Sequence, residues 1–234
     1  MEEKQKKEYL ELLQKLDNEA LETSKEVLLI NPEHYPAWNR RKEALMKRSL
    51  INLLADELEF STETLKINPK CYPAWYHRRW LFCQVPPQIG QMVAPNELRL
   101  CSKLLQMDSR NFHCWTYRSF ICDRILNRTV VEELQFTKEM ISRDFSNYSA
   151  WHRRAVVLLR MDDGEKQAEC FEQDLEMVKS AVYTDPHDQS AWFYLCFLLL
   201  ENYLKKQRGK LLETIQCLEE LYSDEPECSS KPHC

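Results

Sequence analysis

Tryptophan recurs along this chain at nearly even intervals, as Trp38, Trp75, Trp115, Trp151 and Trp192. In every copy an Asn or Asp lies seven residues earlier (Asn31, Asn68, Asp108, Asp144, Asp185), and an Ala or Cys immediately precedes the tryptophan. A period of roughly 40 residues marks an array of stacked supersecondary units. The stretch Ile67–Phe82 shows what one unit contains. A helix stops at Asn68-Pro69, because proline disfavours the helical state in the residue before it. A short loop follows, and a new helix starts near Pro73, in a first-turn position where the missing N–H costs nothing. Each unit is therefore a helix hairpin that cannot bury its apolar face alone, so neighbours stack and share a continuous core.

Composition agrees. The chain has 234 residues and only three glycines, against a usual share of ~7%. Low glycine with abundant Leu, Glu and Lys predicts helix nearly throughout. The expected fold is all-α, an α-α superhelix of hairpin repeats forming a crescent-shaped solenoid, in a single domain over residues 1–234. Five tryptophan-containing hairpins occupy about 19–204, a partial sixth 210–226, and a short tail 227–234. Within the array, helices are expected over 19–30, 36–49, 53–67, 73–84, 112–126, 130–143, 151–160, 168–184 and 190–204. Val85–Pro95, with three prolines and Gly90, reads as a loop. Asn96 then caps a helix whose Leu98, Cys101 and Leu105 mark a buried stripe.

Several function classes are disfavoured. A net charge of -5 and a pI near 5.8 do not suit a nucleic-acid-binding protein. Aromatics beside arginine suggest base stacking in principle, but here they recur with the repeat and read as packing. The charged amino terminus lacks the apolar run of a signal peptide, and the apolar stretch Ala191–Leu200 is too short to span a bilayer. The ten cysteines contain no Cys-x-x-Cys pair. They read as reduced thiols of a cytoplasmic protein, with Cys101 and Cys196 acting as small hydrophobes. Cys228, His233 and Cys234 make a poor metal cage, so no metal is expected in this chain.

Each tryptophan sits in the first turn of its hairpin's second helix, as the large anchor between hairpins. Three residues on, four copies carry Arg41, Arg78, Arg118 and Arg154, while Leu195 stands in the fifth. That spacing puts Trp and Arg on one helix face. A structural arginine, pairing with acids or carbonyls of the adjacent hairpin, is the expected role.

The recurring Asn/Asp-Pro-x-x-Tyr-x-Ala-Trp-x-x-Arg resembles the α subunits of protein prenyltransferases. Asp108-Ser-Arg-Asn-Phe-His-Cys-Trp-Thr-Tyr-Arg118, Arg143–Trp151 and Thr184–Tyr194 are most similar to the Rab-type geranylgeranyltransferase branch. The resemblance covers five ordered copies, from Asn31 to Leu200. It implies a heterodimeric transferase, with this chain wrapped around a β subunit that holds the catalytic zinc and the isoprenoid pocket. It also implies geranylgeranyl diphosphate as donor, Rab GTPases as acceptors and a Rab escort protein as partner. No cofactor would bind this chain itself.

The family's active-site contacts fall in the loops before the tryptophan helices. The lysine that touches the leaving diphosphate matches Lys70, and its tyrosine neighbour matches Tyr72. The family's asparagine and histidine match Asn111 and His113. The chemistry is coherent, because diphosphate gains negative charge as the C–O bond breaks, and fixed cations and N–H donors aimed there lower the barrier. A helix amino terminus adds partial positive charge. Tyr35, Phe112 and Tyr148 share Tyr72's register, which also suggests packing there. Farnesyltransferase and its nearest relative carry a glutamine two residues before the second tryptophan; here Pro73 stands, which fits the Rab-type enzyme. The sixth copy lacks a tryptophan and stops at Glu225-Pro226. The competing expectation is a non-catalytic helical-repeat scaffold, or truncated isoform, that binds partners without supporting transfer.

Overall fold

A computed structural model describes residues 20–48, 50–204 and 216, with the side chains of 201–204 left aside. Among the described residues every regular element is helical. The chain divides into two compact units, Met1–Arg128 and Thr129–Cys234. The expected sixth copy and the tail, like the residues before Ala20, lie outside the described residues, Gln216 excepted.

The first unit contains three hairpins. Helix α1 (Ala20–Ile30) pairs with α2 (Tyr35–Met46), and α3 (Leu50–Ile67) with α4 (Tyr72–Gln84). Helix α5 (Pro87–Met107) pairs with α6 (Phe112–Phe120), which runs on into a π-helical turn at Ile121–Ile125. The second unit contains two hairpins, α7 (Val130–Arg143) with α8 (Tyr148–Leu158) and α9 (Gly164–Thr184) with α10 (Gln189–Leu204). Within the first unit, opening helices α1 and α3 pack together, as do closing helices α2 and α4, and α4 and α6.

One element departs from expectation, and the expected cap at Asn96 goes with it, since Asn96 lies inside α5. Val85–Pro95 is not a loop, because α5 is helical from Pro87 and carries Pro95 inside it. Pro87 occupies the first turn, where a proline is welcome. Pro95 removes one intrahelical hydrogen bond, a defect of roughly 3 kcal/mol in a helix interior. Pro95 and Gln91 are both exposed, so the carbonyl left without a donor stays within reach of water. Burial of Ala94, Glu97, Cys101 and Leu105 holds the helix together across it.

The repeated pattern has a physical job at each position. In all five loops the Asn or Asp accepts a hydrogen bond through Oδ1 from the N–H two residues on, at 3.0–3.2 Å, for Asn31, Asn68, Asp108, Asp144 and Asp185. These are Asx turns, which end the opening helix and reverse the chain. Each tryptophan Nε1 donates to the carbonyl six residues earlier, at 2.7–2.9 Å, tying its helix to that turn. The rings of Trp38, Trp75 and Trp151 meet His77, Tyr117 and Tyr194 of the following hairpin, with centroids 4.7–5.3 Å apart.

Arg41, Arg78 and Arg154 are structural, as expected, and Arg118 is buried like them. Arg78 is buried, donating to Glu97 of the next opening helix at 2.7–2.9 Å and to the Leu58 carbonyl of its own at 2.6 Å. Arg41 makes the same connections to Glu57 and Leu21, and Arg154 to Asp174 and Leu134. The acid also serves its own hairpin. Glu57 is bonded by His77, Glu97 by Tyr117, Glu133 by Arg153 and Asp174 by Tyr194. Burial pushes the Tyr117 and Tyr194 hydroxyls well above the usual phenol value, which keeps them as donors. Two expectations fail on exposure. Cys101 is buried but Cys196 is exposed. The Tyr72-register aromatics Tyr35, Tyr72, Phe112 and Tyr148 are all about half or more exposed rather than packed.

Candidate functional site

The four residues singled out in the sequence belong to the loops of the second and third hairpins, and those loops are adjacent. Asn111 caps α6, its Oδ1 accepting from the Cys114 N–H at 3.1 Å while its Nδ2 donates to the Pro69 carbonyl at 2.9 Å. That same carbonyl accepts from Trp75 Nε1 at 2.9 Å. One repeat earlier, Cys71 plays the linking part. Its thiol, pushed up to about 11 chiefly by burial, donates to the Pro32 carbonyl at 3.1 Å, beside the bond from Trp38. The second and third loops are thus each pinned to the one before by the residue that starts their tryptophan helix.

Pinning the loops brings the other three residues to one rim. Tyr72 and Phe112 open α4 and α6, and His113 follows Phe112. The Tyr72 and His113 rings lie 5.9 Å apart between centroids, and Tyr72 also stacks on Tyr76 at 6.0 Å. Lys70 is exposed, with its ammonium 3.1 Å from the Asp108 carboxylate. Partial burial and, second to it, the Lys70 charge hold His113 below the ordinary imidazole value. The rim therefore brings together the Lys70 amine paired with Asp108, an imidazole held toward its neutral form, the Tyr72 hydroxyl and the amino ends of two helices. That is a set of donors suited to an anion.

The four residues differ in their freedom to act. Lys70 and Tyr72 face solvent, and His113 is half-buried. Asn111 is buried with both side-chain ends engaged in the fold, so its part in any ligand contact runs through the loops it positions. Sequence reasoning overlooked Asp108 as a neighbour of Lys70. It also overlooked the acids Glu57, Glu97, Glu133 and Asp174, though each precedes its own hairpin's tryptophan by the same spacing, a regularity legible in the chain. Among the described residues no three His, Cys, Asp or Glu side chains converge to hold a metal ion. Nor, among them, is any helix long and apolar enough to cross a membrane.

The geometry of the repeats finds its counterpart in known proteins. The family described as protein prenyltransferase alpha subunit repeat matches residues 54–85, 94–125, 130–161 and 171–202. This chain belongs to the protein prenyltransferase α-subunit family. Its relatives include the geranylgeranyl transferase type-2 α subunits of Homo sapiens and Sus scrofa, each 39% identical over 201 residues. That alignment covers 79% of this chain and 34% of theirs, so the chain spans about a third of the length of these mammalian relatives. The Saccharomyces cerevisiae type-2 α subunit is 32% identical over 232 residues, covering 91% of this chain and 70% of its own. Candida albicans protein geranylgeranyltransferase-I, solved with GGPP, shares the α-subunit fold with a TM-score of 0.62 at 22% identity, over 91% of this chain and 77% of that one. The prenyltransferase α repeat thus accounts for four of the five hairpins directly. The first hairpin, outside the matched residues, repeats their Asx turn, tryptophan bond and arginine clamp.

Proposed function

We propose that this chain is the α subunit of a heterodimeric geranylgeranyltransferase of type 2. Its reaction joins the C-terminal cysteines of Rab GTPases to the geranylgeranyl group of geranylgeranyl diphosphate. The zinc and the isoprenoid pocket belong to a β subunit, and a Rab escort protein presents the acceptor. The reading rests on the identity to type-2 α subunits from yeast and mammals. The observation that carries the chemistry is the rim where Lys70, Tyr72 and His113 meet at two helix amino ends. Lys70 and the helix ends stabilise charge on the departing diphosphate, with neutral His113 and Tyr72 as hydrogen-bond donors to its oxygens. Asn111 keeps the two loops in register.

The test is co-expression with a type-2 β subunit, copurification, and geranylgeranyl transfer to a Rab protein in the presence of escort protein. An active complex in which Lys70→Ala lowers turnover about 100-fold, the usual weight of one such donor, without loss of β-subunit binding supports the proposal. A stable complex that transfers nothing favours a partner-binding scaffold instead. Unchanged turnover in Lys70→Ala removes the lysine from the chemistry.

A further inference from the structure

The Lys70–Asp108 pair is one of two equivalent contacts between successive loops of the first unit. The residue two after the Asn or Asp of one copy meets the Asn or Asp of the next. Asn68 Nδ2 donates to Glu33 Oε1 at 3.0 Å, and Lys70 Nζ meets Asp108 Oδ2 at 3.1 Å. The partners are matched in kind, an amide opposite a carboxylate and a carboxylate opposite an ammonium. Asn68 and Asp108 both commit Oδ1 to the Asx turn, accepting from Lys70 N–H at 3.0 Å and Arg110 N–H at 3.1 Å. The turn therefore does not distinguish Asn from Asp. What differs is the other terminal atom, which in Asp108 is an anionic oxygen directed at Lys70.

From this register we infer that Asp108 is a positioning residue, holding the Lys70 ammonium over the third hairpin's loop beside His113. The inference rests on the reading of Lys70 as the contact to the leaving diphosphate. The Lys70 side chain is 68% exposed, and a flexible lysine in water samples many rotamers. An ammonium has three N–H donors. Asp108 takes one and leaves the others for an anion, so lysine and ligand meet without a search for the lysine's conformation. The same carboxylate repels an incoming anion and so weakens ground-state binding. Positioning and repulsion act on different kinetic constants, which makes the role separable from a structural one.

The experiment uses the assembled α–β complex with Asp108→Asn, Lys70→Ala and the double variant. Asparagine preserves the turn, as Asn68 and Asn31 demonstrate at the equivalent positions. Asp108→Asn is expected to lower kcat about 3- to 10-fold while KM for geranylgeranyl diphosphate stays level or falls. In the Lys70→Ala background it should leave kcat unchanged, with relief of the repulsion showing only in KM. A second readout needs no turnover: acylation of Lys70 in the full chain by an amine-directed reagent, followed by mass spectrometry. Asp108→Asn should speed Lys70 labelling relative to the other lysines. Loss of activity in Lys70→Ala with Asp108→Asn kinetically silent, additive in kcat to Lys70→Ala, or without effect on labelling overturns the role of Asp108 alone. Full turnover in Lys70→Ala overturns the diphosphate reading itself, and with it any part for Asp108 in the reaction.

Discussion

Arg78 and Glu97 join two neighbouring hairpins through three hydrogen bonds of 2.7–2.9 Å, with neither side chain more than 4% exposed. Glu97 also accepts from the Tyr117 hydroxyl at 2.7 Å, and Arg78 donates to the Leu58 carbonyl, Ser61 and Thr62. Every donor and acceptor is engaged, so the charges are tolerable in a dry interior. Arg78 belongs to α4 and Glu97 to α5, and their contact exists only when the hairpins stack.

Removing one partner leaves the other charge buried and unpaired. Arg78→Ala is therefore expected to cost about 3–5 kcal/mol, read as a lower urea midpoint in equilibrium unfolding. Arg78→Lys keeps the charge but loses the planar fork, and should fall between the two. A loss below about 1 kcal/mol in the alanine variant, no more than an average substitution costs, would show that the pair is dispensable to the stack.

His77 lies against Glu57, with Lys42 and Arg41 nearby, and burial above all lowers its pKa to about 4 from the ordinary 6.5. The folded state thus holds neutral imidazole, while the unfolded chain takes up a proton at higher pH. The stability this confers is fully present above pH 6.5 and is lost as pH falls toward 4, on the order of 3 kcal/mol in all. Glu57 is also held below its ordinary value: burial alone would raise it, but the hydrogen bonds from His77 and Arg41 and the Arg41 charge outweigh that. Its contribution has the same sign. Thermal unfolding between pH 4 and 7 should steepen in this window, and the slope should be shallower in His77→Asn.

Asn111 and His113 should separate stability from chemistry. Asn111→Ala strips the α6 cap and the tie to Pro69, leaving the Cys114 N–H buried without its partner, at a cost of about 2 kcal/mol. His113→Ala, at the half-exposed rim, should stay within about 0.5 kcal/mol of the parent. In the α–β complex it should nevertheless lower transfer. Chemical denaturation alongside the transfer assay distinguishes the two effects.

Pro95 interrupts α5 without serving its packing face. Pro95→Ala restores the bond to the Gln91 carbonyl and should raise stability by ~1–2 kcal/mol. The gain is less than the full helix-interior penalty, because the unfolded chain also becomes more flexible. Differential scanning calorimetry reads it as a higher Tm. No change would mean that the helix has already absorbed the defect by a local bend.

Much of this architecture follows from local rules that need no knowledge of the fold. Asn68-Pro69, Pro36 and the capping residues stop and start helices through backbone sterics and short-range hydrogen bonds. The tryptophan period sets the hairpin count, while Lys70, Tyr72, Asn111 and His113 were singled out as candidates by the family resemblance of their loops. Local rules misjudged Pro87–Pro95, where long-range burial of Ala94 and Glu97 outweighs the proline penalty. Tertiary structure alone decided which acid meets which arginine, why Asn111 is committed to Pro69, and that Asp108 faces Lys70. Those contacts join groups far apart in the chain and on different hairpins. Their geometry depends on how hairpins stack, and no local interaction specifies that.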